Sequence, residues 1–408
     1  MRLLLISGAY PPTRAGEADH ARMIAEGLAA RGVDVGVLTT RVDAVSGQNG
    51  GAVRRVIRRW SWTELPYLAW LLWRYRPDVL LLMYIGWIYD DHPMITFVPT
   101  VAKLVRPGTR CITQFENALG STPGTSFPAR AARKALRILL GENRVHHSYG
   151  TLLHDSDSII VLSDHHRCQL TEGTEQDDKV ILIPPPPLVP VRKDSRTTRS
   201  EGRQRLGLSE GEFVIAYFGY VYRRKGLETL GAAFRRVVRD RPGIRLVIIG
   251  GPLAGAEAYY EEIQTAYREL EIADSVIWSG FVEDPRDLAI YLSTADVCVL
   301  PIDIGIQLNN SSLAAAAASG LPIVTTRGPR LESPFVHGRN VLLCPPKDPA
   351  ALADAITAVV DDPALRRRLT EGALALAKEW FSWEAAIDRL ESAMVAGSAG
   401  EAGHAGSH

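Results

Sequence analysis

The sequence predicts an α/β protein built as two domains, each a parallel sheet wound with helices. Three observations carry this. Short apolar runs, at residues 3–7, 78–84 and 213–218 among others, recur along the chain, each followed by a glycine-bearing or polar turn, and most of these turns lead into a helical stretch. The run Pro184-Pro185-Pro186-Pro187, with Pro190 after it, can continue neither a helix nor a central strand and so marks a break between two such series. A length of 408 residues suits two domains of ordinary size.

In the first series, residues 3–7 read as a buried parallel strand, Gly8 to Pro12 as a turn, and residues 14–17 as a loop. A helix is expected over 18–31, with Ala21, Ile24, Ala25 and Leu28 on one face. Gly32 ends it, and residues 33–39 form the next strand. Arg54, Arg55, Arg58 and Arg59 pair at helical i,i+4 spacing, and Trp60, Trp62, Tyr67, Trp70, Trp73 and Tyr75 follow. Strands are expected over 78–84, 110–113 and 158–162, with Ser163 capping a helix over 164–171. The first domain is read as 1–183, and the proline-rich, then polar and basic stretch 184–205 as the linker.

The second domain, 206–378, opens with a strand over 213–218, a basic loop from Gly219 to Gly226, and a helix over 227–238. Further strands are expected at 246–249, ending in Gly250-Gly251-Pro252, at 275–278, ending in Gly280-Phe281-Val282, and at 295–300. Residues 301–326 then read as strand end, polar loop, helix, glycine turn and strand. A strand at 340–343 and helices at 349–360 and 363–379 follow. The stretch 379–396 is read as a C-terminal helix crossing back to the first domain, and the small, polar residues 397–408 as a disordered tail.

Composition excludes several classes. Lys+Arg and Asp+Glu are both 46, so nothing in the charge balance asks for nucleic acid. No run approaches the roughly 20 apolar residues of a membrane span, and the N-terminus lacks the pattern of a signal peptide. The four cysteines, Cys111, Cys168, Cys298 and Cys344, form no C-x-x-C pair and read as reduced thiols of a cytoplasmic protein. His146, His147, His165 and His166 show no metal-ligand spacing backed by Cys or Glu.

Candidate chemistry lies at strand ends, where open α/β sheets bind ligands. Asn309, Asn310, Ser311 and Ser312 precede an alanine-rich helix, so their oxygens can cap its first N–H groups while the helix N-terminus faces the loop, a site for phosphate. An ordinary capped crossover has the same pattern. Gly219, Tyr220, Arg223, Arg224 and Lys225 put cations at another strand end, and Lys225 suits a phosphate as a point charge. Gly16 sits where backbone N–H groups could approach an anion, or is a plain turn glycine. His92 and Glu116 also lie at strand ends, as acid, base or hydroxyl-binding groups or as solvated loop residues. The basic, aromatic segment Arg54–Tyr75 is compatible with peripheral contact to an anionic membrane at its inner face, or with a solvated face beside a core helix.

In order along the chain, Tyr10-Pro11-Pro12 with Gly16-Glu17-Ala18, Ile159 to Ser163, Phe218-Gly219 with Lys225-Gly226, Gly280-Phe281-Val282, Ala295-Asp296-Val297, Gly320-Leu321-Pro322 and Phe381-Ser382-Trp383 resemble the retaining glycosyltransferases of family 4 over nearly the whole length. The resemblance implies the GT-B architecture, two Rossmann-like domains facing a central cleft. It implies a nucleotide-sugar donor held by the second domain, a hydroxyl acceptor (a glycan, a lipid-linked glycan or a small molecule) on the first, and no required metal or other cofactor. By position, Lys225 would bind the diphosphate; the N-domain histidine that the family often carries near the donor sugar is replaced within Phe115-Glu116, with His92 as a substitute, so Lys225, Glu116 and His92 are the catalytic candidates. Gly16, Gly219, Tyr220, Arg224, Gly250, Gln307, Asn309, Asn310, Ser311 and Ser312 would bind the donor, and Phe281 and Val282 would border its base.

The departures are specific. The family's Glu-x7-Glu pair falls on Gln307 and Ala315, and the arginine that often follows the first glycine of the basic loop is Tyr220. Gln307 can hydrogen-bond a sugar hydroxyl without charge; Ala315 bonds nothing. A divergent branch with a serine- or arginine-rich loop in place of the pair also looks similar. An active retaining enzyme and an inactive GT-B scaffold or partner subunit are the main readings; no feature demands a third, another GT-B enzyme such as a sugar epimerase or phosphorylase. Base, sugar, acceptor and oligomeric state are left open.

Overall fold

A computed structural model describes residues 1–42, 53–118, 144–146, 148–171, 177–190, 195–239 and 241–396. His147 and the tail 397–408 lie outside the described residues. The chain divides into two compact units, Met1–Pro184 with the chain from Glu384 on, and Pro185–Trp383.

The first unit holds seven strands: β1 (Arg2–Ile6), β2 (Asp34–Thr40), β3 (Val53–Ile57), β4 (Val79–Tyr84), β5 (Arg110–Phe115), β6 (Ser158–Val161) and β7 (Val180–Leu182). They form one sheet in the order β3-β2-β1-β4-β5-β6-β7, every pair parallel, with Leu4 beside Gly36 on one side and Leu80 on the other. A parallel sheet is covered on both faces, so its central strands are apolar throughout rather than alternating. Val79 to Tyr84 are accordingly all buried. Helix Gly16–Ala30 turns Ala18, Ala21, Ile24, Ala25 and Leu28 inward.

The second unit has six strands, β8 (Phe213–Phe218), β9 (Ile244–Ile249), β10 (Val276–Trp278), β11 (Val297–Leu300), β12 (Ile323–Thr326) and β13 (Leu342–Cys344), in the order β10-β9-β8-β11-β12-β13 and again all parallel. Each sheet reverses its winding once, between β1 and β4 and between β8 and β11. Ligands bind outside the carboxyl ends of the strands at such a switch point.

Two expectations need correction. Arg54 and Arg55 do not lie on a helix: they belong to the edge strand β3, where Arg55 donates to the Pro11 carbonyl at 2.8 Å. Adjacent Arg54 and Arg55 on this edge strand, with Arg58 and Arg59 just beyond its end, mimicked helical spacing. The stretch 184–205 is not all linker. Residues Ser195–Arg205 form a helix of the second unit, held because Asp296 accepts from Arg199 at 2.7 Å, from the buried Arg203 at 3.4 Å and from the Val214 amide at 2.8 Å.

The last helix, Trp383–Val395, packs on the first unit. Arg31 binds Asp388 at 2.9 Å and Arg110 donates to the Ala393 carbonyl at 2.6 Å, while Ile387, Leu390, Ala393 and Met394 are buried. Among the described residues no helix is long and apolar enough to cross a membrane.

Candidate functional site

Backbone contacts gather the loops after β8, β9, β10 and β11 at one edge of the second sheet. Gly226 has φ 76°, and a Cβ there would stand 1.8 Å from the Pro301 carbonyl oxygen. Only glycine lets the basic loop meet the end of β11 in this way. Gly250, at φ 135°, comes as close to Gly219: a Cβ would lie 2.2 Å from its carbonyl oxygen. The Gly250 amide donates to Ser279 Oγ at 3.0 Å, and Gly250 bridges to Gly280.

Helix Ser311–Ala318 opens at this edge. Asn310 is its N-cap, with Oδ1 accepting the Leu313 amide at 3.0 Å. The buried Ser312 places its hydroxyl against Gly219. The cap satisfies one free amide, and the positive end of the helix dipole at this edge is of the sign that favours an anion. Ser311, Gln307 and Asn309 are half-buried beside it.

The cations separate into different roles. Lys225 is half-buried, with Nζ 5.1 Å from the centre of the Tyr222 ring. Arg224 is exposed in the left-handed region (φ 77°), its carbonyl accepting the Asp303 amide at 3.1 Å. Arg223 is engaged with Glu262 at 2.7 Å and stacks on Tyr259 at 4.9 Å. The rings of Tyr220 and Phe281 lie 6.3 Å apart and 21° from parallel, with the half-buried Val282 next in the chain. Ala315 is wholly buried within the helix.

In the first unit, Gly16 begins helix Gly16–Ala30, whose first turn carries Glu17 and Asp19. Glu116, at the end of β5, is 7% exposed in its side chain; it lies 3.1 Å from His20 Nδ1 and accepts from Gln114 at 2.6 Å. His92 caps the short 3-10 turn Pro93–Phe97, its Nδ1 accepting the Met94 amide at 3.2 Å. Its ring meets Trp62 edge-on at 5.7 Å, and burial lowers its pKa.

Two residues here escaped sequence reasoning. His20 and Glu332 have partners 96 and 24 residues away, and no local pattern marks them. Among the described residues no three His, Cys, Asp or Glu side chains cluster to hold a metal.

His166 gives a pH signature of the first unit. Burial pushes its imidazole down to about 4, with His165 adding to the shift and Glu116 opposing it. The unfolded chain therefore binds a proton near pH 6.5 that the folded chain refuses until about pH 4. Stability falls as pH drops through that window, by about 3 kcal/mol in all. In chemical denaturation between pH 7 and 4, His166→Leu is expected to flatten this slope; an unchanged slope contradicts the assignment.

Residues 198–375 match the family model described as "Glycosyl transferases group 1". A D-inositol 3-phosphate glycosyltransferase of Thermomonospora curvata is 27% identical over 322 residues, 75% of this chain and 67% of that protein. Against two further relatives of that name the match spans about half of their length, 47% and 46%. A glycogen synthase of Mycobacterium tuberculosis is 25% identical over 438 residues, 98% of this chain and 96% of that one. Among solved structures, Anabaena Alr3699/HepE in complex with UDP and glucose superposes with a TM-score of 0.71 at 15% identity, over 96% of this chain and 98% of that one. Residues 198–375 are thus similar to group 1 glycosyltransferases, within a chain of GT-B fold.

Proposed function

We propose that this chain is a retaining, metal-independent glycosyltransferase of family 4, in a branch that has lost the Glu pair, moving a sugar from a nucleoside diphosphate to a hydroxyl acceptor. The observation that carries the reading is the convergence of Lys225, the capped N-terminus of helix Ser311–Ala318 and the glycine loops at one sheet edge of a domain similar to group 1 glycosyltransferases. Fixed positive groups aimed where the diphosphate leaves stabilise the charge that develops there. A structural relative solved with UDP and glucose favours a nucleoside diphosphate at this edge. Relatives named for D-inositol 3-phosphate and for glycogen favour a hydroxyl-bearing acceptor.

The test is donor turnover followed by proton NMR, with UDP-, GDP- and ADP-glucose as probes. Release of the α-anomer first supports retention, and release of the β-anomer first overturns it. Ala315, which leaves no carboxylate at that position of the helix, favours a second reading, an inactive scaffold. Nucleotide binding without turnover of any donor selects that one.

We further propose that the first unit touches an anionic membrane surface from the cytoplasmic side. Trp62, Trp70 and Trp73 are 44%, 54% and 57% exposed, and Arg58, Arg59, Arg74 and Arg76 are exposed near them in sequence. Indoles with arginines suit the headgroup layer. Replacing Trp70 and Trp73 by alanine is expected to lower sedimentation with phosphatidylserine vesicles by on the order of tenfold. Equal sedimentation of variant and parent contradicts this.

A further inference from the structure

The loop from Pro301 to Asn310 is tied to the segment that follows β12. The Ile306 amide donates to the Thr326 carbonyl at 2.9 Å, and the Thr326 hydroxyl donates to the Ile302 carbonyl at 2.5 Å. Gly305 and Gly328 meet backbone to backbone: a Cβ on Gly305 would stand 2.0 Å from the Gly328 nitrogen. The last tie is a side chain. Glu332 is 3% exposed, and its Oε2 accepts the Leu308 amide.

A carboxyl group that deep is costly unless it is hydrogen-bonded. Leu308, wholly buried, sits between the half-buried Gln307 and Asn309. The Asn310 amide donates to the Gln307 carbonyl at 3.3 Å, and Asn310 caps the helix. The amide that Glu332 holds is therefore in the middle of the segment read as meeting the donor. Neither 307 nor 315 carries a carboxylate, so the acid serving this loop comes from a different strand's exit.

We propose that Glu332 is the positioning residue of the donor loop: by holding the Leu308 amide it fixes where Gln307 and Asn309 meet the sugar of a nucleotide donor. The inference rests on the donor-site reading above. It differs from a plain structural strut in one respect: its loss acts on recognition of the sugar more than on the nucleotide.

Two measurements on the full chain test it. The first needs no ligand. Hydrogen exchange is compared for the parent, Glu332→Ala, Glu332→Asp and Glu332→Gln. The Leu308 amide is expected to exchange on the order of tenfold faster in the alanine and aspartate variants. It should stay near parental in Glu332→Gln, whose carboxamide oxygen still accepts. Parental exchange at Leu308 in Glu332→Ala and Glu332→Asp overturns the proposal. So does faster exchange spread evenly over the unit in Glu332→Asp, the milder variant should Glu332→Ala fail to fold.

The second is calorimetric affinity for UDP-glucose relative to UDP, and for ADP-glucose relative to ADP. The sugar's advantage is expected to fall about tenfold in Glu332→Asp, to survive in Glu332→Gln, and to fall no further when Gln307→Ala is added. Additive losses overturn the coupling. If the parent binds none of these four, the donor reading fails, while hydrogen exchange still decides whether Glu332 holds Leu308.

Discussion

Lys225→Ala is expected to lower turnover by on the order of 10²-fold, the loss seen when one preorganised oxyanion-type donor is removed. The backbone at this position is fixed by the approach of Gly226 to Pro301, so truncating the side chain removes the charge without releasing the loop. The cation is half-buried, where an electrostatic interaction is worth more than in water. On the proposed reading it acts as charge gathers on the leaving diphosphate, so kcat should fall further than affinity for the nucleotide, and Lys225→Arg should recover part of it. Steady-state kinetics with a thermal melt of each variant checks this. Parental kcat in Lys225→Ala contradicts the assignment.

Gly226→Ala is expected to disable the site more completely. The left-handed backbone at φ 76° costs a residue with a Cβ about 1–2 kcal/mol. The new methyl also falls 1.8 Å from the Pro301 oxygen, and relieving such an overlap costs roughly 1–3 kcal/mol more. The two loops must part. Lys225 and the loop leading to helix Ser311–Ala318 then separate, and a displacement near 1 Å costs about 10²-fold in rate. Urea denaturation should show a loss of about 2–5 kcal/mol, and turnover should fall by 10²-fold or more. A variant of parental stability and activity would mean that the loops do not meet as described.

The fold was legible because central strands buried on both faces must be continuously apolar, as Val79–Tyr84 is, and because glycine and proline punctuate the units. What escaped was held by distant partners or lay on an edge. Strand β3 carries the adjacent Arg54 and Arg55 because it borders the sheet. Helix Ser195–Arg205 is strongly polar and is held by Asp296, some ninety residues on. Helix Glu257–Glu269 does carry Tyr259, Ile263 and Tyr267 at i,i+4 spacing, a signal that was present and went unread.

The candidate site divides in the same way. Its glycines, its cap and its lysine are local features, readable at their own positions. Gly226 against Pro301 and Gly250 against Gly219 are long-range contacts that explain why those glycines are there. Glu332 and His20 act on residues 24 and 96 positions away, and no window of sequence contains both partners.

The most direct test of the central claim is a thermal-shift panel of UDP, GDP, ADP, CMP and dTDP, each with and without magnesium. A ligand at 100 times its dissociation constant adds about 2.7 kcal/mol of stability, a shift such a scan resolves. The predicted result is a clear rise in melting temperature with one nucleoside diphosphate, the same with or without magnesium. No shift with any of the five would contradict a working donor site in residues 198–375.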